Sequence, residues 1–198
     1  MSQGAGTAHL LIAAGDIERR VTELAHEITA DLAGAEPPLL IGVLKGCTLF
    51  LADLVRAIDI DVHVDFIAIS SYAGGTGSSG VVRILKDVEA DIRGRDVLIV
   101  EDIVDTGLTL TYLRRNLEER GARSLRTVTL LDKAARRIVP VAVEYTGFEI
   151  EDVFVVGYGL DFQGRYRNVT DVLAVTDIAR LANDPLLLVE PLWPAVKR

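Results

Sequence analysis

The sequence predicts an α/β domain with a central, mostly parallel sheet flanked by helices. Three observations carry this. Strand-like runs alternate with helix-like periods along the chain. The run Val97 to Val100 is apolar throughout, the pattern of a strand covered on both faces. Directly after it come Glu101 and Asp102, then Asp105 and the turn Thr106-Gly107-Leu108-Thr109. That puts polar chemistry where open α/β sheets bind ligands, outside the carboxyl ends of their strands.

Taken in order, residues 1–6 are small and polar, a terminus with little to order it. Asp16 can cap a helix to Leu32, with Ile17, Val21, Leu24, Ala25, Ile28 and Leu32 on one face at the helical period. Gly34 stops it. Pro37 and Pro38 lead into a strand, Leu39 to Leu44. Lys45-Gly46 follows, then a helix from Thr48 to about Ala57.

Asp61 to Ser70 reads as a further strand. Residues 71–80, SYAGGTGSSG, can bury little surface and are expected to form a flexible loop. Val81 to Lys86 resumes as a strand, giving a hairpin or flap. Gly94 turns the chain into Val97. After Thr109 a helix reaches Arg120, with Leu110, Leu113 and Leu117 on one face, and Gly121 ends it. Leu125 to Leu131 is the next strand and closes at Asp132-Lys133. Strand, helix and strand in succession imply right-handed parallel crossovers. Val139 to Tyr145, Val153 to Val156 and Val172 to Val175 are short β-prone runs. Residues 178–198 form a tail with three prolines and Trp193, and no role follows from its sequence.

The chain has 198 residues, enough for one domain with a full core, and residues 1–198 are read as one. A net charge of -8 argues against a broad nucleic-acid-binding face, which needs clustered Lys and Arg. The single Cys47 excludes an internal disulfide, and no neighbouring base marks it as a nucleophile. No signal peptide and no membrane-spanning run is evident, so a cytoplasmic protein without a membrane partner is expected.

The turn after Asp105 offers backbone N–H groups, hydroxyls and a helix N-terminus, all suited to a phosphate. Carboxylates beside it would repel a bare phosphate. They call for sugar hydroxyls, or a divalent cation between the charges. A phosphorylated sugar handled with Mg²⁺ satisfies both. The plainer readings are solvated strand-end acids and an ordinary helix cap favoured by the helix dipole.

Four separated motifs, Lys45-Gly46, the Ser/Gly loop, EDIVDTGLTL and FVVGYGLD, occur in one order. Together they resemble the hypoxanthine-guanine phosphoribosyltransferases, members of the purine type I phosphoribosyltransferase family, over roughly Leu39 to Val175. The resemblance implies the type I fold with a small hood and a lid hairpin at 71–80. It implies transfer of a phosphoribosyl group from 5-phosphoribosyl-1-pyrophosphate to N9 of a 6-oxopurine, with Mg²⁺, in a homodimer or homotetramer.

It also implies residue roles. Glu101 and Asp102 would hold the ribose 2′- and 3′-hydroxyls, directly or through Mg²⁺. Asp105 would act as general base toward purine N7. The segment Asp105 to Thr109, with Ile103 and Val104 leading into it, would cradle the 5′-phosphate. Lys45 and Gly46 would form the pyrophosphate loop, where the family has a non-proline cis peptide. Ser71 and Tyr72 would head the lid. Lys133 would donate to purine O6, which favours a 6-oxo base because an ammonium group cannot accept. Phe154 would stack on the purine and Val155 would meet its edge through backbone. Asp161 would lie near a second Mg²⁺, and Arg167 would reach pyrophosphate. Arg165 is a surface neighbour.

Three alternatives stand beside this. One is a phosphoribosyltransferase preferring xanthine or uracil. Another is a non-enzymatic regulator of the same fold that senses the phosphorylated sugar or binds RNA, which the acidic charge and intact motifs disfavour. A dinucleotide-binding protein lacks its glycine fingerprint here.

Overall fold

The structure, a computed structural model, describes residues 7–34, 36–71 and 82–193. In chain order it runs β1 (Ala8–Ile12), α1 (Ala14–Leu32), β2 (Leu39–Leu44), α2 (Thr48–Ala57), β3 (His63–Ser71) and β4 (Val82–Lys86). Then follow β5 (Asp96–Val104), α3 (Leu108–Glu119), β6 (Ser124–Asp132), a 3-10 turn at Ala134–Arg136, and β7 (Tyr145–Glu149). The chain closes with β8 (Phe154–Val156), β9 (Val172–Val175), α4 (Ile178–Asn183) and α5 (Val189–Leu192).

The main sheet has the order β4-β3-β2-β5-β6-β7. Every pairing in it is parallel except β3 with β4. A smaller antiparallel sheet, β1-β9-β8, forms a hood.

Side chains alternate across a strand, so a strand buried on both faces must be apolar at every position. In β2 and β5, Leu39, Ile41, Val43, Val97 and Ile99 pack with Leu110, Leu113 and Leu117 of α3. Leu40, Leu98 and Val100 take the opposite face, with Phe50 and Leu54 of α2 and the apolar stripe of α1. Phe50 is fully buried there, a position where truncation to Ala costs about 3–5 kcal/mol.

This arrangement places the site. The crossover after β2 runs through α2 on one face of the sheet, and the crossover after β5 through α3 on the other. Chains leaving two adjacent strands in opposite directions open a crevice at the strands' carboxyl ends. That crevice lies between the β2 end, at Leu44 to Gly46, and the β5 end, at Glu101 to Asp105.

Several expectations need correction. The strand expected to stop at Val100 continues to Val104, because Ile103 and Val104 still pair with Leu131 and Asp132 of β6. The acids therefore sit within the strand, not after it. Asp16 is not the cap of α1. Ala13 holds that position, and Asp16 in the first turn pairs with Arg19 at 3.0 Å. Ala8–Ile12 was not recognised as a strand. The β-prone run 139–145 is irregular apart from Tyr145, and the seventh strand is Tyr145–Glu149. Residues 72–81, most of the expected lid, lie outside the described residues. Ser71 contributes its backbone to the end of β3.

The tail folds back over the hood. Leu181 and Leu188 are buried with Val156, Tyr166 and Leu173. The Trp193 ring lies parallel to Tyr166 with centroids 6.5 Å apart, and the Tyr166 hydroxyl donates to the Pro185 carbonyl at 2.5 Å.

Candidate active site

A cleft of about 280 Å³ opens at the crevice. It collects thirteen of the expected residues or their neighbours from three parts of the chain: Leu44, Lys45 and Gly46; the run from Glu101 to Gly107 with Thr109; and Asp161 with Arg167. The cis peptide is present, and it is Leu44–Lys45 rather than Lys45–Gly46. Lys45 is exposed, and its carbonyl accepts from the Thr48 hydroxyl at 2.6 Å at the start of α2.

Glu101 is buried at 5% exposure, and Asp102 is half-buried beside it. Burial, then the Asp102 charge, raises the Glu101 carboxyl well above its ordinary value. Burial also raises Asp102, to about 6. Its own N–H and that of Ile103 work against the rise, as does Arg167, while Asp161 adds to it. Two acids kept from water at a strand end are held at a cost, and a partner that accepts their charge would lower it.

Gly46 stands directly against Asp102. The buried thiol of Cys47 is pushed up by burial, and further by Asp102 and Glu101, so it is no nucleophile.

Asp105 is the first residue of the loop. Its Oδ1 atom is buried with no hydrogen-bond partner, although 42% of the side chain is exposed. Arg136 Nε lies 2.9 Å from that oxygen, an ion-pair distance without hydrogen-bond alignment. Gly107 follows with φ of 83° as the residue before α3, a left-handed conformation that suits glycine. The first N–H groups of α3 point out of its N-terminus, where no carbonyl of the helix can accept from them. Thr106 and Thr109 are half-buried at this end, whereas Leu108 is 41% exposed and does not line the cleft.

Arg167 is held in place from behind. Its Nη1 donates to the Gly159 carbonyl at 2.6 Å, and its Nη2 lies 2.6 Å from Asp161 Oδ1. The other Asp161 oxygen accepts from the Gly164 N–H at 2.6 Å. Arg165 is exposed.

Lys133, Phe154 and Val155 do not line this cleft. Lys133 is nevertheless next to it, since its N–H donates to the Val104 carbonyl at 2.9 Å. Its buried side chain brings Nζ to 3.9 Å from Asp152. Phe154 is half-buried and meets Phe162 edge-on, with centroids 5.9 Å apart. Val155 is buried in the core at 6% exposure, which leaves its backbone as the group to consider.

The resemblance puts Glu101 and Asp102 at the ribose hydroxyls, directly or through Mg²⁺, and Asp161 near a second Mg²⁺. Among the described residues no three acids, histidines or cysteines stand close enough to hold a metal by themselves. The donors present are hard carboxylate oxygens. They suit a cation such as Mg²⁺ that takes one or two protein carboxylates and completes its shell with water and substrate oxygens.

Sequence reasoning missed Asp132, Arg136, Arg137 and Asp152. Arg136 Nη1 donates to Asp152 at 3.0 Å as it approaches Asp105. Arg137 donates to the Asp105 carbonyl at 2.9 Å and to the Asp132 carboxylate. The one signal was the Arg-Arg pair shortly after Lys133.

The family model of the phosphoribosyl transferase domain matches residues 11–163. The chain is 51% identical over 166 residues to the hypoxanthine-guanine phosphoribosyltransferase of Mycobacterium avium, covering 81% of this chain and 82% of that protein. It is 49% identical over 160 residues to the bifunctional protein TilS/HprT of Listeria innocua, and the match spans only 24% of that longer protein. The fold matches a crystal structure of a hypoxanthine phosphoribosyltransferase from Staphylococcus aureus with a TM-score of 0.82 and 41% identity, over 86% of this chain and 92% of that one.

Proposed function

The chain belongs to the purine type I phosphoribosyltransferase family, and on that premise we propose that it transfers the phosphoribosyl group of 5-phosphoribosyl-1-pyrophosphate to N9 of hypoxanthine or guanine. The products are IMP or GMP and pyrophosphate, as in purine salvage. One observation carries this reading. An acid pair of one buried and one half-buried carboxylate, a small-residue loop at a helix N-terminus and a braced arginine converge on one cleft at the sheet's switch point.

The residues divide the labour. Glu101 and Asp102 accept hydrogen bonds from the vicinal ribose hydroxyls. The loop from Asp105 to Thr109 holds the 5′-phosphate with backbone N–H groups and the Thr106 and Thr109 hydroxyls. Arg167 meets pyrophosphate with its fork, while Lys45 and Gly46 border the same end of the cleft. Lys133 donates to O6 of the base, Phe154 stacks on the ring, and the Val155 backbone meets the base edge. Asp105 takes the N7 proton as N9 bonds to C1′ and pyrophosphate departs. Charge builds on the ribose in that transition state, beside carboxylates already fixed in place. Ser71 and Tyr72 begin the segment assigned as a lid. Mg²⁺, held by Glu101, Asp102 or Asp161 together with substrate oxygens, would supply charge neutralisation for the leaving group.

The same reading has a cytoplasmic homodimer or homotetramer. A groove between α1 and α2 offers a second copy a mixed face, with the exposed Leu49 and Ala52 beside Glu18, Asp53 and Arg56. No helix among the described residues is long and apolar enough to cross a membrane, and the net charge of -8 disfavours nucleic acid as a partner.

The test is a panel of free bases with the sugar donor and Mg²⁺. Nucleotide from hypoxanthine and guanine supports the proposal, and product from uracil alone overturns it.

A further inference from the structure

The segment after Lys133 does more than connect strands. Arg137 reaches back to the phosphate loop, where its Nη1 donates to the Asp105 carbonyl at 2.9 Å. Its Nη2 pairs with the carboxylate of Asp132, the residue before Lys133. Both partners of that ion pair are largely buried, with side-chain exposures of 16% and 14%. The Ile138 N–H donates to the Thr106 carbonyl at 2.9 Å, and the Val139 N–H at 3.3 Å. The stem of Arg137 also fills the space beside Gly107, with Cδ 2.9 Å from where a β-carbon there would stand.

We propose that Arg137 is a positioning residue that ties the 5′-phosphate loop to the purine end of the site. The loop from Asp105 to Thr109 must present N–H groups to a dianion and the Asp105 carboxylate to the base. A loop free to move would weaken its hold on the phosphate, which the KM for the sugar donor reads. It would also misalign the Asp105 carboxylate, which kcat reads, while base binding by Lys133, Phe154 and Val155 is left in place. Small misplacements are costly in catalysis. One planar guanidinium with two fixed acceptors sets the distance between the Asp105 backbone and the strand end that carries Lys133. A lysine cannot reproduce that fork. Arg137 does not line the cleft, so its effect reaches the reaction through the loop.

This inference rests on the proposed transfer reaction. The experiment is therefore steady-state kinetics on wild type, Arg137→Met, Arg137→Lys, Asp132→Asn and the Arg137→Met/Asp132→Asn double variant. KM for the sugar donor and for hypoxanthine is read separately, with thermal melts alongside. Losing one buried charge-assisted bond should raise the KM for the donor about tenfold in each of Arg137→Met and Asp132→Asn. The KM for hypoxanthine should change less than about threefold, and the double variant should be no worse than the weaker single, as expected for one shared bridge. A donor KM within about twofold of wild type in folded Arg137→Met would overturn the proposal. Equal rises in both KM values, or losses that multiply in the double variant, would overturn it as well. Should Arg137→Met not fold, Arg137→Lys and Asp132→Asn are judged by the same criteria. A wild type that forms no IMP rejects the transfer reaction instead. Ribose 5-phosphate binding by calorimetry then tests the loop alone, with about tenfold weakening in Asp132→Asn expected and unchanged affinity contradicting the role.

Discussion

A β-carbon on Gly46 would overlap the carboxylate of Asp102 at Oδ2. The two residues are far apart in sequence; Gly46 follows β2, and Asp102 lies near the end of the neighbouring parallel strand β5, at the same end of the sheet. The close approach forms the floor of the cleft, since any side chain at 46 would displace the carboxylate from its place.

Gly46→Ala is therefore expected to disable the site more than the fold. Overpacking costs about 1–3 kcal/mol of stability, while kcat/KM for the sugar donor should fall by about a hundredfold or more, as expected when an aligned group is moved by an ångström. Thermal melts with initial rates separate the two. A variant as active as wild type would show that the carboxylate position is not required.

Asp105→Asn keeps the loop backbone and removes the proposed proton acceptor. Ribose 5-phosphate affinity should stay within about threefold of wild type, because the proposed phosphate contacts come from the loop backbone and threonines. The rate of transfer should fall by about a hundredfold, the usual scale of general acid–base catalysis. Single-turnover rates give the comparison, and equal turnover would reject the base role.

Lys133→Met removes the donor proposed for O6 and leaves a side chain of similar length. Losing a hydrogen bond from a charged group costs about 1.5–3 kcal/mol, so kcat/KM for hypoxanthine should drop by roughly 10- to 100-fold. Rates with adenine should not fall, since its amino group gains nothing from an ammonium donor. A parallel loss with both bases would place Lys133 outside base selection.

Away from the site, Asp96 accepts from Arg123 at 2.6 Å and from the Ser124 hydroxyl at 2.6 Å. Arg123 first, then Ser124, holds its carboxyl down at about 2 against the opposing effect of burial. A lowered folded value means the unfolded chain binds the proton more readily. The stabilisation is thus complete above the ordinary value of about 4 and lost as pH falls toward 2. With Arg123 half exposed, solvent screening reduces it to about 1 kcal/mol. Asp96→Asn should lower stability by that amount at pH 7, and the gap to wild type should close by about pH 2 in denaturant titrations.

Much of this was legible in the residues. The strand Leu39–Leu44, the helix Thr48–Ala57 and the strand Val172–Val175 were read with the bounds the structure has. Apolar runs between strong stop signals leave little choice there. The cleft-lining residues were legible because strand-end acids and a phosphate-type loop are contiguous. What was missed depends on distant partners. β1 forms by pairing with β9, Ala8 opposite Val175, and no local pattern announces it. The run 139–145 has β-prone residues, yet Pro140 cannot donate to a ladder and Val141 and Val143 are used in packing beside α3. Glu101 and Asp102 looked like residues beyond a strand, because acids seldom stay in one unless a site requires them. The contacts of Arg136 and Arg137 arise only where their segment meets the loop at Asp105, which lies 32 residues from Arg137.

The central claim is transfer to a 6-oxopurine, and one competition measures it most directly. The protein is given equal hypoxanthine and adenine with the sugar donor and Mg²⁺, and nucleotides and pyrophosphate are counted. IMP as the dominant nucleotide, with one pyrophosphate released per IMP, is the predicted result. AMP in equal or greater amount, or pyrophosphate released without any nucleotide, would contradict it.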